Sequence, residues 1–310
     1  MLRHKTLVST LVALTLASVP ALAVQRAFVS SAGSDANPCT PTAPCRGFQA
    51  AHNVVDAGGE IVALDAAGYG QVTITKSLSI IGNPGFVVGI SAATGYGVAI
   101  DTPGVNVVLR HLSIHATGGF TGVRMTAGNS LTVEDCDISG FSNQGIYVGT
   151  AAEVRIADTS LRRNDSGMVI ENNATADIVR SRFIGNSTFG FAAFGSASGT
   201  TSASVSDSVA SGNNSYGFVV VAERGTGVAQ LSVIRSTASN NHFGGFSVQA
   251  RLAGATARMT VGASIASGND TGFAVSLMNG GTGILESMGD NIVRQNTTAS
   301  VGTITAVSGL

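Results

Sequence analysis

The chain contains no tryptophan, and only 11% of its 310 residues are charged and 5% aromatic. An ordinary soluble domain is about a quarter charged, so a single apolar core under a charged skin is a poor description. Disorder is excluded too, because 44% of the residues are hydrophobic and the formal net charge is only −1. Such balanced charge leaves no footprint for nucleic acid. Beyond the first residues no run reaches about 18 apolar residues, which excludes a membrane-spanning helix. His52, His115 and His242 lack the spacing of metal ligands. No glycine-rich motif follows a strand and opens a helix, so the 40 glycines do not form a phosphate cradle. They point instead to a repetitive, turn-rich chain.

Residues 1–23 read as a cleaved export signal, with Arg3, His4 and Lys5, an apolar stretch from Leu7 to Leu16, and Ala21-Leu22-Ala23 before the cut. This predicts a secreted or periplasmic protein. In that oxidising compartment Cys39 and Cys45, which share one proline-rich loop, are expected to pair. Cys136 then has no partner and reads as a small apolar side chain of the core.

Self-comparison finds a Gly followed by alternating apolar residues at Gly122, Gly145, Gly167, Gly190, Gly217, Gly245 and Gly272, a period of about 22 to 28 residues that belongs to solenoids. The first position after each Gly is Val123, Ile146, Met168, Phe191, Phe218, Phe246 and Phe273; the third is Met125, Val148, Ile170, Ala193, Val220, Val248 and Val275. Two apolar columns separated by a variable one are a strand with one face inside. A second strand about a dozen residues earlier carries Leu109, Val133, Ile156, Ile178, Val205, Val233 and Val261 inward. A third, shorter strand is marked by Ile138, Leu161 and Phe183, and its column blurs at Val209/Ala210 and Ile265/Ala266. Between the third strand and the Gly stands an asparagine: Asn164, Asn186, Asn213, Asn241, Asn269 and Asn296. Stacked amides pointing inward satisfy one another as a ladder. Four of these positions also match the glycosylation pattern, which a buried ladder makes coincidental.

Three strands per coil, this period and the Asn column resemble the pectate-lyase-like superfamily of right-handed parallel β-helix proteins. The start of the chain, Phe28-Val29-Ser30 followed by two Pro-Cys pairs, is similar to exported bacterial members. The expected architecture is therefore all-β, a right-handed parallel β-helix over residues 70–310. Residues 24–69 are expected to form an N-terminal cap with the disulfide loop and a short helix from Arg46 to Ala57. The final Thr303 to Val307 alternation is expected to close the other end.

The resemblance implies a polysaccharide or cell-envelope partner met on the outer surface of the strand that precedes the short one. Outward residues there include Lys76, Arg110, Glu134, Arg155 and Asp177, and the turn just beyond carries His111, Asp135, Asp158, Arg180, Asp207 and Arg235. A lyase would use Lys76, Arg155 or Arg180 as base, with calcium or another cation. A hydrolase needs two carboxylates, for which Asp135 and Asp158 on neighbouring coils are candidates. Against both stands a cross-coil ion ladder of alternating sign. The leading reading is a carbohydrate- or envelope-associated binding or structural module, the alternative a polysaccharide lyase or glycoside hydrolase on the charged face.

Overall fold

Three inward-facing columns per coil require three sheets, and the computed structural model, which describes residues 24–307, has three. The expected export signal at residues 1–23 lies outside the described residues. Sheet A has twelve strands, from Arg26–Val29 to Ile304–Ala306. Sheets B and C have ten each, from Ala67–Gly68 to Ile292–Arg294 and from Val72–Ile74 to Thr298–Val301. The chain runs A, B, C and back to A, and every strand pairs in parallel with those of the coils above and below. The register stacks Leu109, Val133, Ile156, Ile178, Val205, Val233 and Val261 as one inward column of sheet A. Phe191, Phe218, Phe246 and Phe273 form the matching column of sheet C, all buried.

The column that blurs in the sequence resolves through volume. Sheet B places Ile138, Leu161, Phe183, Ala210, Ala238 and Ala266 inward, leaving Val209 and Ile265 outside. Sheet C changes from Val123, Ile146 and Met168 to phenylalanine at Phe191, and sheet B shrinks to alanine one coil later, at Ala210. The rings fill the vacated space, Phe218 lying 6.1 Å from Phe183 and 5.6 Å from Phe246.

Two polar ladders hold the corners. Asn164, Asn186, Asn213, Asn241 and Asn269 each donate an amide N–H from Nδ2 to the next asparagine Oδ1, at 2.9 to 3.4 Å, and each backbone N–H donates to the same oxygen. Their Nδ2 atoms also donate to a sheet B carbonyl one coil back, as from Asn213 to Phe183 at 3.1 Å. The adjoining glycines follow from this crowding: a Cβ at Gly190 would lie 2.5 Å from the Gly217 carbonyl oxygen and 3.0 Å from Asn213 Nδ2. At the corner between sheets A and B a second column, Thr159, Ser181, Ser208, Ser236 and Ser264, repeats the device. Each backbone N–H from Thr159 to Ser236 donates to the next hydroxyl oxygen, and each hydroxyl donates to the carbonyl two residues back. Cys136 heads this column. It is a free thiol, buried, and burial pushes it up to about 12, so it is inert.

The ends differ from expectation. The capping helix spans Phe48–Val54 rather than Arg46 to Ala57. Asp35 Oδ1 accepts the backbone N–H groups of Arg46 and Gly47 at 2.8 Å and holds them outside the helix, while Val55 is already extended. The helix supplies acceptors to the first strand of sheet C: Gln49 Oε1 takes the Thr73 N–H at 2.8 Å and His52 Nε2 the Thr75 N–H at 3.1 Å. An edge so covered cannot recruit another strand. The β-ladder also begins well before residue 70, since Gly59–Ala63 pairs with both Arg26–Val29 and Leu78–Ile81. The asparagine ladder begins only later, at Asn164, whose Oδ1 accepts the Phe141 N–H of the coil before. Cys39 and Cys45 are linked and fully buried. At the far end Ile304–Ala306 adds to sheet A at Leu285–Ser287 instead of closing the stack, and Ile292 and Val301 stay exposed.

Replacing Asn213 by Ala removes a buried amide from mid-column and strands its partners, which should cost about 1 to 3 kcal/mol in a denaturant titration. The same change at the neighbouring exposed Asn214, whose side chain makes no ladder contact, should cost little. Asp65 ties the cap together by accepting hydrogen bonds from Tyr69, Ser30 and Ser31, and chiefly the Tyr69 hydroxyl lowers its carboxyl to about 2. The folded value lies below the unfolded one near 4, so its contribution is present above about pH 4 and is lost as the pH falls toward 2. Protection of the Ser31 amide against hydrogen exchange, relative to the unfolded chain at the same pH, should fall over that window, and Asp65→Asn should abolish the dependence.

Candidate functional site

The charged residues singled out in the sequence fall into two rows on one side of the solenoid. Glu134, Arg155 and Asp177 project from the outer face of sheet A, on strands Ser130–Glu134, Glu153–Ala157 and Thr175–Val179. They do not share a single column: Arg155 aligns with Asp177 and Thr132, whereas Glu134 aligns with Arg110 and Ala157, two residues further along. The side chains bridge that offset. Glu134 accepts from Arg110 Nε at 2.7 Å and lies 3.8 Å from Arg155, which reaches Asp177 at 3.3 Å; Asp177 also accepts from the Ser204 hydroxyl at 2.8 Å.

The second row follows the bend into sheet B. His111, Asp135, Asp158, Arg180, Asp207 and Arg235 all have φ between 47° and 54°, the left-handed conformation that turns the chain in one residue and throws the side chain outward. Asp158 and Arg180 form a two-pronged ion pair at 2.8 and 2.6 Å, as do Asp207 and Arg235 at 2.8 and 2.9 Å. Asp135 lies 3.4 Å from His111 Nδ1. Lys76 belongs to neither row. It precedes the sheet A strand, and its ammonium donates to the Val55 carbonyl at 2.6 Å, at the end of the capping helix.

These environments constrain the chemistry. The Arg180 hydrogen bond holds the Asp158 carboxyl below the usual carboxylate range, the reverse of what a general acid requires. The same contact raises Arg180, the reverse of what a base requires. Lys76 is remote and engaged. Among the described residues no three His, Cys, Asp or Glu side chains gather as cation ligands. With Asp158 held by Arg180, and Asp177 by Arg155 and Ser204, the charged face does not fit calcium.

What the face does form is a trough of 720 Å³ across strands Ser130–Glu134, Glu153–Ala157, Thr175–Val179 and Thr200–Ser206. Its lining includes the hydroxyls of Thr132, Thr175, Ser202 and Ser204 and the charges of Glu153, Arg155 and Asp177. Arg155 is its one cation and is loosely held, its contacts of 3.3 and 3.8 Å comparing with 2.6 to 2.9 Å for the other arginine pairs on this side.

The flank of sheet C carries a second apolar surface. The outward column after each Gly turns apolar at Val169, Ala192 and Val219, and sheet C there is covered, not exposed: Tyr147, Phe189, Phe194 and Tyr216 pack over Val169, Ala192, Val219 and Val221 as a second small core. The apolar run in the column was the available signal.

Residues 57–203 match the family model described as a right handed beta helix region. No curated protein sequence matches the chain. Among solved structures, pectate lyase Pel9A superimposes with a TM-score of 0.61 at 15% identity, over 84% of this chain and 79% of that one. The complex of XylC with xylose superimposes with a TM-score of 0.55 at 8% identity, over 91% and 70%. At such identities the likeness is one of fold. Three parallel sheets, the inward asparagine corner and these matches together make the chain a right-handed parallel β-helix, a fold that it shares with pectate lyase Pel9A.

Proposed function

We propose that this protein is an exported, non-catalytic glycan-binding module that meets a polysaccharide, free or in the cell envelope, along the outer face of sheet A. The observation that carries this reading is the trough: an open, hydroxyl-lined channel crossing four coils, with Arg155 in it and only loosely engaged. Sugar hydroxyls and carboxylates are the ligands such a surface satisfies, since they accept from a guanidinium fork and exchange hydrogen bonds with threonine and serine. The fold is shared with a pectate lyase and with XylC in its complex with xylose. The buried disulfide suits an extracytoplasmic compartment. Binding without turnover is favoured over lysis or hydrolysis because Asp158 is held ionised and Arg180 protonated by one another.

Arg155→Ala should weaken binding to pectin, alginate or bacterial exopolysaccharide by about tenfold, the loss of one charge-assisted contact, in affinity electrophoresis. Its melting temperature should be nearly unchanged, because exposed ion pairs add under about 1 kcal/mol. Arg180→Ala, outside the trough, should alter neither. Release of unsaturated sugars with ultraviolet absorbance, or of new reducing ends, by the wild type would replace this reading with a lyase or a hydrolase.

A further inference from the structure

The covered flank of sheet C is interrupted at one coil. In the column just before each Gly, Gln144 is followed by Ser166, then Phe189 and Tyr216, whose rings stack at 6.4 Å. In the next outward column Tyr147 is followed by Val169 and Ala192. The coil of strand Ser166–Ile170 thus presents only Ser166 and Val169 between aromatic neighbours. A pocket of 400 Å³ opens there. One wall carries Tyr147; the other carries Phe189 and Phe194, edge to face at 6.2 Å. The walls stand two coils apart, about 10 Å between strands, which admits one ring between side chains.

The pocket is polar as well as aromatic. Glu171, 8% exposed, sits at one end of it and accepts from the Tyr147 hydroxyl. Arg224 arches over the intervening coil, 53 residues along the chain, to reach Glu171 Oε2 at 2.8 Å. Burial, then the Glu171 contact, pushes the Tyr147 phenol up to about 12, so it remains a neutral donor. The ring of Tyr147 crosses Gly149, where a Cβ would lie 2.5 Å from its hydroxyl. Asp165 and Thr188, joined at 2.8 Å, stand on the rim. Glu171 is paired with Arg224 and Glu223 with Arg251, each at 2.8 Å, so both the carboxylates and the cation of the lining are engaged.

We propose that this notch is a second sugar site, separate from sheet A, which holds one neutral pyranose or pentose ring of a glycan. The C–H faces of the ring lie against Tyr147, Phe189 and Phe194, and its hydroxyls reach Glu171, Asp165 and Thr188. Aromatic walls with a few fixed polar groups are the composition of a small-ligand pocket. The one cation of the notch, Arg224, is already held by Glu171 at 2.8 Å and leaves no partner for a uronate carboxylate, whereas the trough offers the loosely held Arg155, which places the two sites in different ligand classes.

Ser166→Phe puts into the notch the residue type present one coil on, and because Ser166 is buried the variant's melting temperature is measured beside binding; Glu171→Gln keeps the shape and removes the charge. Calorimetric titration of the full mature chain with cellohexaose, xylohexaose and laminarihexaose should show binding of at least one of them. That binding should fall about tenfold or more in both variants and persist in Arg155→Ala. Binding of pectin should be unaffected by Ser166→Phe. The proposal is overturned if none of the three oligosaccharides binds the wild type, if Ser166→Phe or Glu171→Gln binds them as the wild type does, or if Arg155→Ala alone abolishes their binding. In the last case the trough is the site for neutral sugars and the sheet A reading stands.

Discussion

Each coil of this protein is completed by its neighbours, because the polar groups at its corners find their partners one coil away. The asparagine amide shows this most directly: its oxygen receives two donors from the coil below in sequence, and its nitrogen donates both to the next asparagine and to a carbonyl of the coil before. A buried amide without such partners costs several times what a made bond contributes. The column is therefore fixed in register, and with it every strand. The serine and threonine column does the same at the opposite corner with a hydroxyl and a carbonyl. Between the two pinned corners, sheet C turns to phenylalanine and sheet B to alanine without moving the backbone register.

Fixed register has a direct consequence outside. Any outward residue meets its counterpart on the next coil at about 4.8 Å, so opposite charges placed in one column become ion pairs by construction. The forks Asp158 to Arg180 and Asp207 to Arg235 are of this kind. They show how a row of charges that resembles a catalytic set can be a surface ladder, with each ionisation state locked by the partner. The trough differs because its arginine sits between two carboxylates at looser distances and leaves bonding capacity for a ligand.

Much of this was legible in the sequence because the signal repeats. The Gly and Asn columns and the period-2 alternation identify three strands per coil, and the inward columns of sheets A and C align as read. The serine column was missed because Ser and Thr are common in any turn; only the stacking shows that these five hydroxyls are buried and linked. The outward charges share the face read from the sequence without sharing a column, Glu134 lying beside Ala157 and Arg155 beside Thr132. Lys76 was misplaced because it falls in the turn between Val72–Ile74 and Leu78–Ile81, not on the strand itself. The bond from Arg224 to Glu171 spans an intervening coil, and no periodic reading anticipates a contact that skips a repeat.

The most direct test of the account is amide hydrogen exchange along the asparagine corner. The backbone N–H groups of Asn186, Asn213 and Asn241 donate to the next asparagine at 2.9 to 3.1 Å and are buried, so they should be among the slowest to exchange in the molecule, though they lie in turns. Exchange at those three amides as fast as in the exposed turn 279–281 would contradict the ladder and the register built on it.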